Sequence, residues 1–183
     1  SSADLALNRK VEVEGEINAS GIIVAEEIEI KPSGTIRIES TVEDRQGSVL
    51  TMLGLNVTVN VATRIEDKSA AGLEPFSIDQ VNAGDYVEIR GYEDNGGVVA
   101  TLLEREDFEG VVGIRGFVDG VNDPEFTVLG VTIQTIPATE YEDISGAGLS
   151  AAEFFAQADG RLVEASGTLN GSTIVADEVE FED

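Results

Sequence analysis

The amino-acid sequence predicts an all-β protein built from tandem modules, on three observations. Apolar and polar residues alternate over short segments such as Val57 to Val61, which is the pattern of half-buried strands. Turn-forming pairs such as Asn170-Gly171 separate these segments. The whole pattern then recurs after about 76 residues, which indicates an internal repeat.

The repeat divides the chain into two and a half modules. Its matching segments are Thr51–Gly54 with Thr127–Gly130, Ala71–Leu73 with Ala147–Leu149, Val87–Gly91 with Val163–Gly167, and Val99–Ala100 with Val175–Ala176. At the same offset Val11–Gly15 matches Val87–Gly91, which belongs to the second half of a module. We therefore expect a C-terminal half-module, a β-hairpin, over 1–33, a full module over 34–108 and another over 109–183.

The sequence of each full module predicts five strands, with a short helix between the third and fourth. In the first module the strands are expected near 36–44, 48–53, 55–65, 85–92 and 97–105, with an irregular or short helical link over 69–83. In the second, Ser150–Ala158 is the best helix candidate, because Ser150 and Glu153 have capping-box spacing. This order predicts tandem OB-like five-stranded barrels or small β-sandwich modules.

Composition excludes several classes of function. The chain has 36 acidic and 11 basic side chains and a net charge of −25, which opposes binding to nucleic acid or to anionic membranes. It has no Cys, His or Trp, which removes thiol nucleophiles, Ser-His-Asp triads and most transition-metal sites. No apolar run approaches the roughly 20 residues of a transmembrane helix. We expect no enzymatic activity and no cofactor, with calcium as the one exception considered below.

The repeated elements carry a family resemblance. They are a Thr-x-Leu-Gly strand at 51–54, an Ala-Thr-x-x-x-Asp segment at 62–67, a Gly-Asp-Tyr-Val-Glu-Ile-Arg-Gly strand at 84–91 and a Val-Val-Ala-Thr-x-x-Glu strand at 98–104. Together they resemble the bacterial family DUF5666, whose members carry tandem modules and are typically exported or lipid-anchored. The resemblance implies a fold and a location outside the cell or at its surface, and it implies no activity. The last module departs from the pattern, with Gly160-Arg161-Leu162 in place of Gly-Asp-Tyr.

Acidic residues offer weak candidates for cation binding. Asp119, Asn122 and Asp123 form one Asx-rich turn, and Glu93, Asp94 and Asn95 form another. Calcium takes six to eight oxygen ligands, and neither turn has EF-hand spacing, so ordinary hairpin turns are the simpler interpretation. Glu12, Glu14 and Glu16 share one face of a strand, and Glu29 with Glu26 or Glu27 is expected to face them. Such a ladder suits a solvated face, a cation site or protection against edge aggregation.

The N-terminal half-module is the feature that points to function. A lone hairpin is marginal in water, so its aliphatic residues need a partner surface. Those residues are Val11, Val13, Ile17, Ile22, Val24, Ile28 and Ile30. The hairpin either packs on its own chain, is the remnant of a longer protein whose first half-module was cut away, or adds its strands to another copy, which would give filaments.

We expect a non-enzymatic, exported bacterial repeat protein with a structural or self-associating role, and other copies of itself as partners. The alternative is a module that binds divalent cations or a neutral polymer such as a glycan.

Overall fold

The computed structural model describes residues 11–17, 22–30, 34–94 and 96–183 of the 183-residue chain. Strands make up 58% of the structure, which confirms the all-β class. The strands are β1 (Val11–Ile17), β2 (Ile23–Ile30), β3 (Ile36–Thr41), β4 (Asp44–Gln46), β5 (Val49–Met52), β6 (Leu55–Thr58), β7 (Arg64–Asp67), β8 (Tyr86–Asp94), β9 (Gly97–Glu106), β10 (Val112–Asn122), β11 (Glu125–Val128), β12 (Val131–Glu142), β13 (Leu162–Asn170) and β14 (Thr173–Phe181). A 3-10 turn (Ile78–Gln80) and helix α1 (Ala151–Phe155) complete the described elements.

The strands form two sheets. β1 and β2 make a two-stranded sheet of their own. The other strands share one 12-stranded sheet in the order β11-β12-β14-β13-β10-β3-β8-β9-β6-β5-β4, with β7 beside β9 and β11 also paired to β10. β6 and β7 run parallel to β9, and β12 runs parallel to β14.

The predicted arrangement of separate OB-like barrels or small sandwich modules is wrong. The strands are arranged as a β-solenoid of about three turns. The physical reason lies at β3 and β10, which begin the two modules. On one edge of each strand, backbone N–H and C=O groups are free of partners among the described residues of the module. The two strands use these edges to pair antiparallel with each other, over Arg37 to Glu39 and Gly113 to Arg115. The sheet therefore continues from one module into the next.

Alternating side chains place the core on one face of each strand. In β3, Ile36, Ile38 and Ser40 are buried, while Arg37 and Glu39 on the opposite face are half-buried. This is the period of two that the sequence predicts for half-buried strands. Buried residues of both modules belong to one hydrophobic cluster, so the core also spans the module boundary.

Helix α1 closes the core of the second module. Ser150 and Glu153 form the predicted capping box, in which each side chain accepts the backbone N–H of the other residue. The helix then buries Phe154 against Phe126, Tyr141 and Phe181. The first module has only the short 3-10 turn in this link, in agreement with the irregular or short helical link predicted over 69–83.

Candidate functional site

Asp119, one of the residues proposed for calcium, lies in β10, and its carboxylate bonds to β11 and to the turn that follows β11. One carboxylate oxygen of Asp119 accepts a hydrogen bond from the Thr127 hydroxyl, and the other accepts the Gly130 N–H at 2.9 Å. One repeat earlier, Glu43 accepts the Gly54 N–H at 3.1 Å in the same way. The repetition of this clamp shows that Asp119 stabilises the tight turn between β11 and β12.

The other calcium candidates remain at the ends of hairpins. Asn122 ends β10 and Asp123 lies exposed in the following turn, while Glu93 and Asp94 end β8 with exposed side chains. Among the described residues, the one group of three acidic side chains whose oxygens lie within 4.8 Å of one another is elsewhere, at Glu39, Glu88 and Glu106.

The N-terminal hairpin reproduces the second half of a module. In all three copies the register shifts next to a glycine that is paired with an alanine. The pairs are Gly15 with Ala25, Gly91 with Ala100, and Gly167 with Ala176. A Cβ atom at these glycines would lie 2.1, 2.4 and 2.0 Å from a carbonyl oxygen of the partner strand, so the backbones approach too closely for any side chain. In the backbone register of the hairpin, Glu12 pairs with Glu29 and Glu14 with Glu27.

The hairpin differs from its two equivalents in what covers it. In the complete modules β8 pairs with β3 and β9 with β6 and β7, whereas among the described residues β1 and β2 pair only with each other. Ile23 of β2 is therefore 56% exposed, although its equivalents Val98 and Ile174 are 2% and 0% exposed. Of the seven predicted assembly residues, Ile22 and Val24 are exposed, and the side chains of Val11, Val13, Ile17, Ile28 and Ile30 lie outside the described set.

A charged face runs across the outside of the large sheet. Strand pairing aligns two neighbouring rows on eight strands. The first, which we call the arginine row, is Glu142, Glu180, Glu164, Arg115, Arg37, Arg90, Leu102 and Arg64. The second, the carboxylate row, is Glu140, Glu178, Ser166, Gly113, Glu39, Glu88, Glu104 and Glu66. Where the modules meet, Arg37 lies directly opposite Arg115 and Arg90, and such like-charge pairs are unfavourable on their own. Opposite charges meet between the two rows, where Arg37 forms ion pairs with Glu39 and Glu88.

Arg37 is the centre of this face. Its guanidinium donates hydrogen bonds to Glu39 at 2.5 Å, to Glu88 at 3.0 Å and to Glu164 of the second module at 2.7 Å. Glu164 also lies 3.8 Å from Arg115. We call Arg37, Glu39, Glu88, Arg115 and Glu164 the junction network. It ties the modules together with charge-assisted hydrogen bonds.

Glu39 titrates abnormally within the junction network. Burial raises its pKa to about 6, and Arg37 opposes that rise while Glu88, Glu164 and Glu106 add to it. Glu88 is nearly inaccessible to solvent, and its oxygens accept hydrogen bonds from Arg37 and from Arg90 at 2.5 Å. Arginines therefore already bond to two of the three grouped carboxylates, to both oxygens of Glu88 and to one oxygen of Glu39.

Arg105 and Asp67 form a second ion pair, on β9 and at the end of β7 in the first module. The buried Asp67 carboxylate accepts hydrogen bonds from Arg105, from Ser69 and from the Leu73 N–H, and these bonds lower its pKa. The centroid of the Phe76 ring lies 4.5 Å from the Arg105 guanidinium carbon, in a cation–π contact. A cleft of about 470 Å³ borders this pair, lined by Asp67, Lys68, Leu73 and Phe76 among others.

The repeated Ala-Thr-x-x-x-Asp segment is structural in both modules. The Thr63 hydroxyl donates to the Ala100 carbonyl at 2.8 Å, and Thr139 donates to Ala176 at 2.7 Å. Asp143, the equivalent of Asp67, accepts from Ser145 and from the Ala147 N–H. Sequence reasoning identified this segment as repeated but did not assign these bonds. The residue types give the signal, because Thr and Asp commonly bond to nearby backbone.

Sequence reasoning also missed the arginine row. Arg37, Arg90 and Arg115 each stand at an outward position of a strand, and that much is visible in the sequence. Their alignment depends on the register of the three strands β3, β8 and β10, which alternation alone does not fix.

Among the described residues, no helix has the length and apolar character needed to cross a membrane.

Comparison with known proteins identifies the family of the chain. Comparison with curated proteins and with solved structures gives no match. A family model described as "Domain of unknown function (DUF5666)" matches residues 1–29, 37–104 and 115–180. These three segments follow the half-module and the two full modules, and the chain therefore belongs to the DUF5666 family.

Proposed function

We propose that this chain is a non-enzymatic structural protein, exported to the bacterial cell surface or the medium, that self-associates through its N-terminal hairpin. The observation that carries the proposal is the exposure of Ile23, whose equivalents Val98 and Ile174 are buried in the complete modules. A hairpin with the backbone geometry of a module half therefore presents both an uncovered apolar side chain and strand edges that have no pairing partner among the described residues.

The contact we propose is strand addition by another copy at these edges. Main-chain hydrogen bonds supply affinity in such contacts, and side chains that alternate along the strand supply specificity. Two-stranded sheets gain independent stability when further strands or a packing surface are added. The net charge of −25 keeps such assemblies soluble and makes their association dependent on salt.

The rest of the chain supports a structural role. The repeated polar residues Glu43 and Asp119, Thr63 and Thr139, and Asp67 and Asp143 are all engaged in holding turns or strand ends. A sheet and a core that continue across the module boundary join the two modules into one unit. Such a unit suits a spacer or a subunit of an ordered array.

Light scattering over a range of protein concentrations tests this function. We expect the mass to rise with concentration above the 19.3 kDa of one chain and Ile23→Asp to return it to that value. Ile144→Asp is the matched control, because Ile144 is 54% exposed and lies in a turn of the second module. A wild-type protein of 19.3 kDa at every concentration, or an equal effect of both substitutions, would contradict the proposal.

A further inference from the structure

The joint between the modules is narrow. Only three residue pairs join β3 to β10, whereas β3 and β8 pair at six positions. The connection between β9 and β10 consists of residues 107–111, with Gly110 at a φ of 93°. A joint with few strand hydrogen bonds and a short irregular connection is where local opening costs least free energy.

The backbone of β10 covers the Glu39 carboxylate. Glu39 pairs with Gly113, and a Cβ atom built on Gly113 would lie 3.0 Å from Glu39 Oε2. A larger residue would have to displace the carboxylate, so the glycine permits the close approach. Separation of β3 from β10 would therefore return Glu39 to water.

Titratable and charged groups surround Glu39 on every strand packed against it. They are Arg37 on β3, Tyr86, Glu88 and Arg90 on β8, Glu104 and Glu106 on β9, Arg115 on β10, and Glu164 on β13, with Glu109 of the connection acting on Glu106. Three of these carboxylates, Glu39, Glu88 and Glu106, approach within 4.8 Å. Removing the charge of Glu39 relieves their repulsion and leaves Arg37 bonded to Glu88 and Glu164.

We propose that the β3–β10 joint is a pH-responsive connection that closes more firmly when Glu39 takes up a proton in mildly acidic surroundings. This inference does not depend on the proposed self-association. Burial of Glu39 is produced partly by the joint itself, and the Arg37–Glu164 hydrogen bond that spans the modules does not require a charge on Glu39.

The sign of the effect follows from linkage. The pKa of Glu39 is raised to about 6 in the closed joint from an ordinary 4.5. Proton uptake therefore favours the closed form. The gain begins as the pH falls through about 6 and is complete below about 4.5. Each pKa unit corresponds to about tenfold in population. Glu39 is partly exposed, and Glu88 and Glu106 stay beside it when the joint opens, so only part of the rise in its pKa acts on the joint. We therefore expect a change of about tenfold in the population of the closed form.

Amide hydrogen exchange, followed by NMR and corrected for intrinsic rates, tests the proposal. We expect protection of the amides that bond across Arg37–Glu39 and Gly113–Arg115 to rise about tenfold between about pH 7.5 and pH 4.5. Amides of the β5–β6 hairpin, remote from the joint, should change much less. Glu39→Gln, which resembles the protonated acid, should give the high protection at both pH values. Glu93→Gln, at the exposed end of β8, is the matched control and should behave as the wild type.

Three results would overturn the proposal. Protection at the joint could be independent of pH, it could change equally in the β5–β6 hairpin, or its pH dependence could persist in Glu39→Gln. If Glu39→Gln fails to fold, the carboxyl carbon of Glu39 in the wild type is titrated by NMR. A midpoint near pH 6 supports the proposal, and a midpoint near 4.5 overturns it.

Discussion

Ile38 and Ile114 occupy equivalent positions in the two modules and lie directly opposite each other in the β3–β10 pair. On either side of them Arg37 pairs with Arg115 and Glu39 with Gly113. The first strands of the two modules therefore meet about a local two-fold axis that passes through this isoleucine pair. Both side chains are buried, Ile38 at 0% and Ile114 at 1% exposure, so the axis runs through the common core.

Shortening Ile114 should destabilise both modules together. Ile114→Ala removes buried methyl groups beside Ile38 and is expected to cost about 2–4 kcal/mol. Because the sheet and core are continuous, urea unfolding followed by circular dichroism should retain a single transition at a lower midpoint. Two separate transitions in the wild type or in the variant would show that the modules unfold independently.

The close-approach glycines should not tolerate a methyl group. Gly91→Ala and Gly167→Ala would each place a Cβ atom within 2.4 Å of a carbonyl oxygen, and we expect a loss of about 1–3 kcal/mol in each case. Thermal unfolding measures the loss. Gly148→Ala is the control, because no heavy atom lies within 4 Å of the added carbon, and it should leave the melting temperature nearly unchanged. Equal melting temperatures for all three variants would refute the assigned register.

Asp67 should contribute more to the free energy of unfolding than its equivalent Asp143. Asp67→Ala leaves the largely buried Arg105 without its main carboxylate partner, whereas Asp143→Ala breaks only hydrogen bonds to Ser145 and nearby backbone. We therefore expect Asp67→Ala to cost about 1–3 kcal/mol more than Asp143→Ala. Urea unfolding of the two variants provides the comparison, and equal losses would contradict this role of Arg105.

Acid should lower the stability that Glu66 and Asp67 contribute to the first module. Hydrogen bonds from Lys68 and Arg64 hold the pKa of Glu66 at about 2, below its ordinary 4.5, and Asp67 is lowered by Arg105. Groups with a depressed folded-state pKa contribute stability above their unfolded pKa and lose it as they are protonated. Stability should therefore fall as the pH drops from about 4.5 towards 2. Lys68→Met, which removes one cause of the low pKa of Glu66, should make this fall smaller and complete at a higher pH. An unchanged acid limb in Lys68→Met would contradict the assigned cause.

The contribution of Asp119 to stability should come from the turn between β11 and β12 and should not depend on calcium. Asp119→Ala removes the acceptor of the Thr127 and Gly130 hydrogen bonds and is expected to cost about 0.5–1.5 kcal/mol. The loss should be the same with and without millimolar calcium in a thermal unfolding series, and Asp123→Ala should have little effect. A melting temperature that calcium raises in the wild type and not in Asp119→Ala would restore the cation-binding interpretation.

Part of this fold is local and could be predicted from the sequence. Alternation identifies strands such as β3, capping-box spacing identifies helix α1, and the offset between Val87 and Val163 identifies the repeat. These features depend on residues close together in the chain or on self-similarity.

The pairing of β3 with β10 could not be predicted in this way. Each strand carries the same alternating signal as its neighbours, and nothing in that signal states which edges meet. The OB-like expectation treated each module as closed on itself, and the junction network around Arg37 was missed for the same reason. The N-terminal hairpin could be predicted as a candidate site because the repeat shows that its module lacks a first half. That Ile23 is unusually exposed could be recognised only from the structure, in which the equivalent Val98 is buried.

Negative-stain electron microscopy of the native protein beside a variant reduced to residues 34–183 tests the central claim most directly. The account predicts regular multimers for the full chain, either filaments from head-to-tail contacts or closed dimers from like contacts, and single particles for the variant. Uniform single particles of the full chain, over concentrations where light scattering also gives one mass, would contradict self-association through the hairpin.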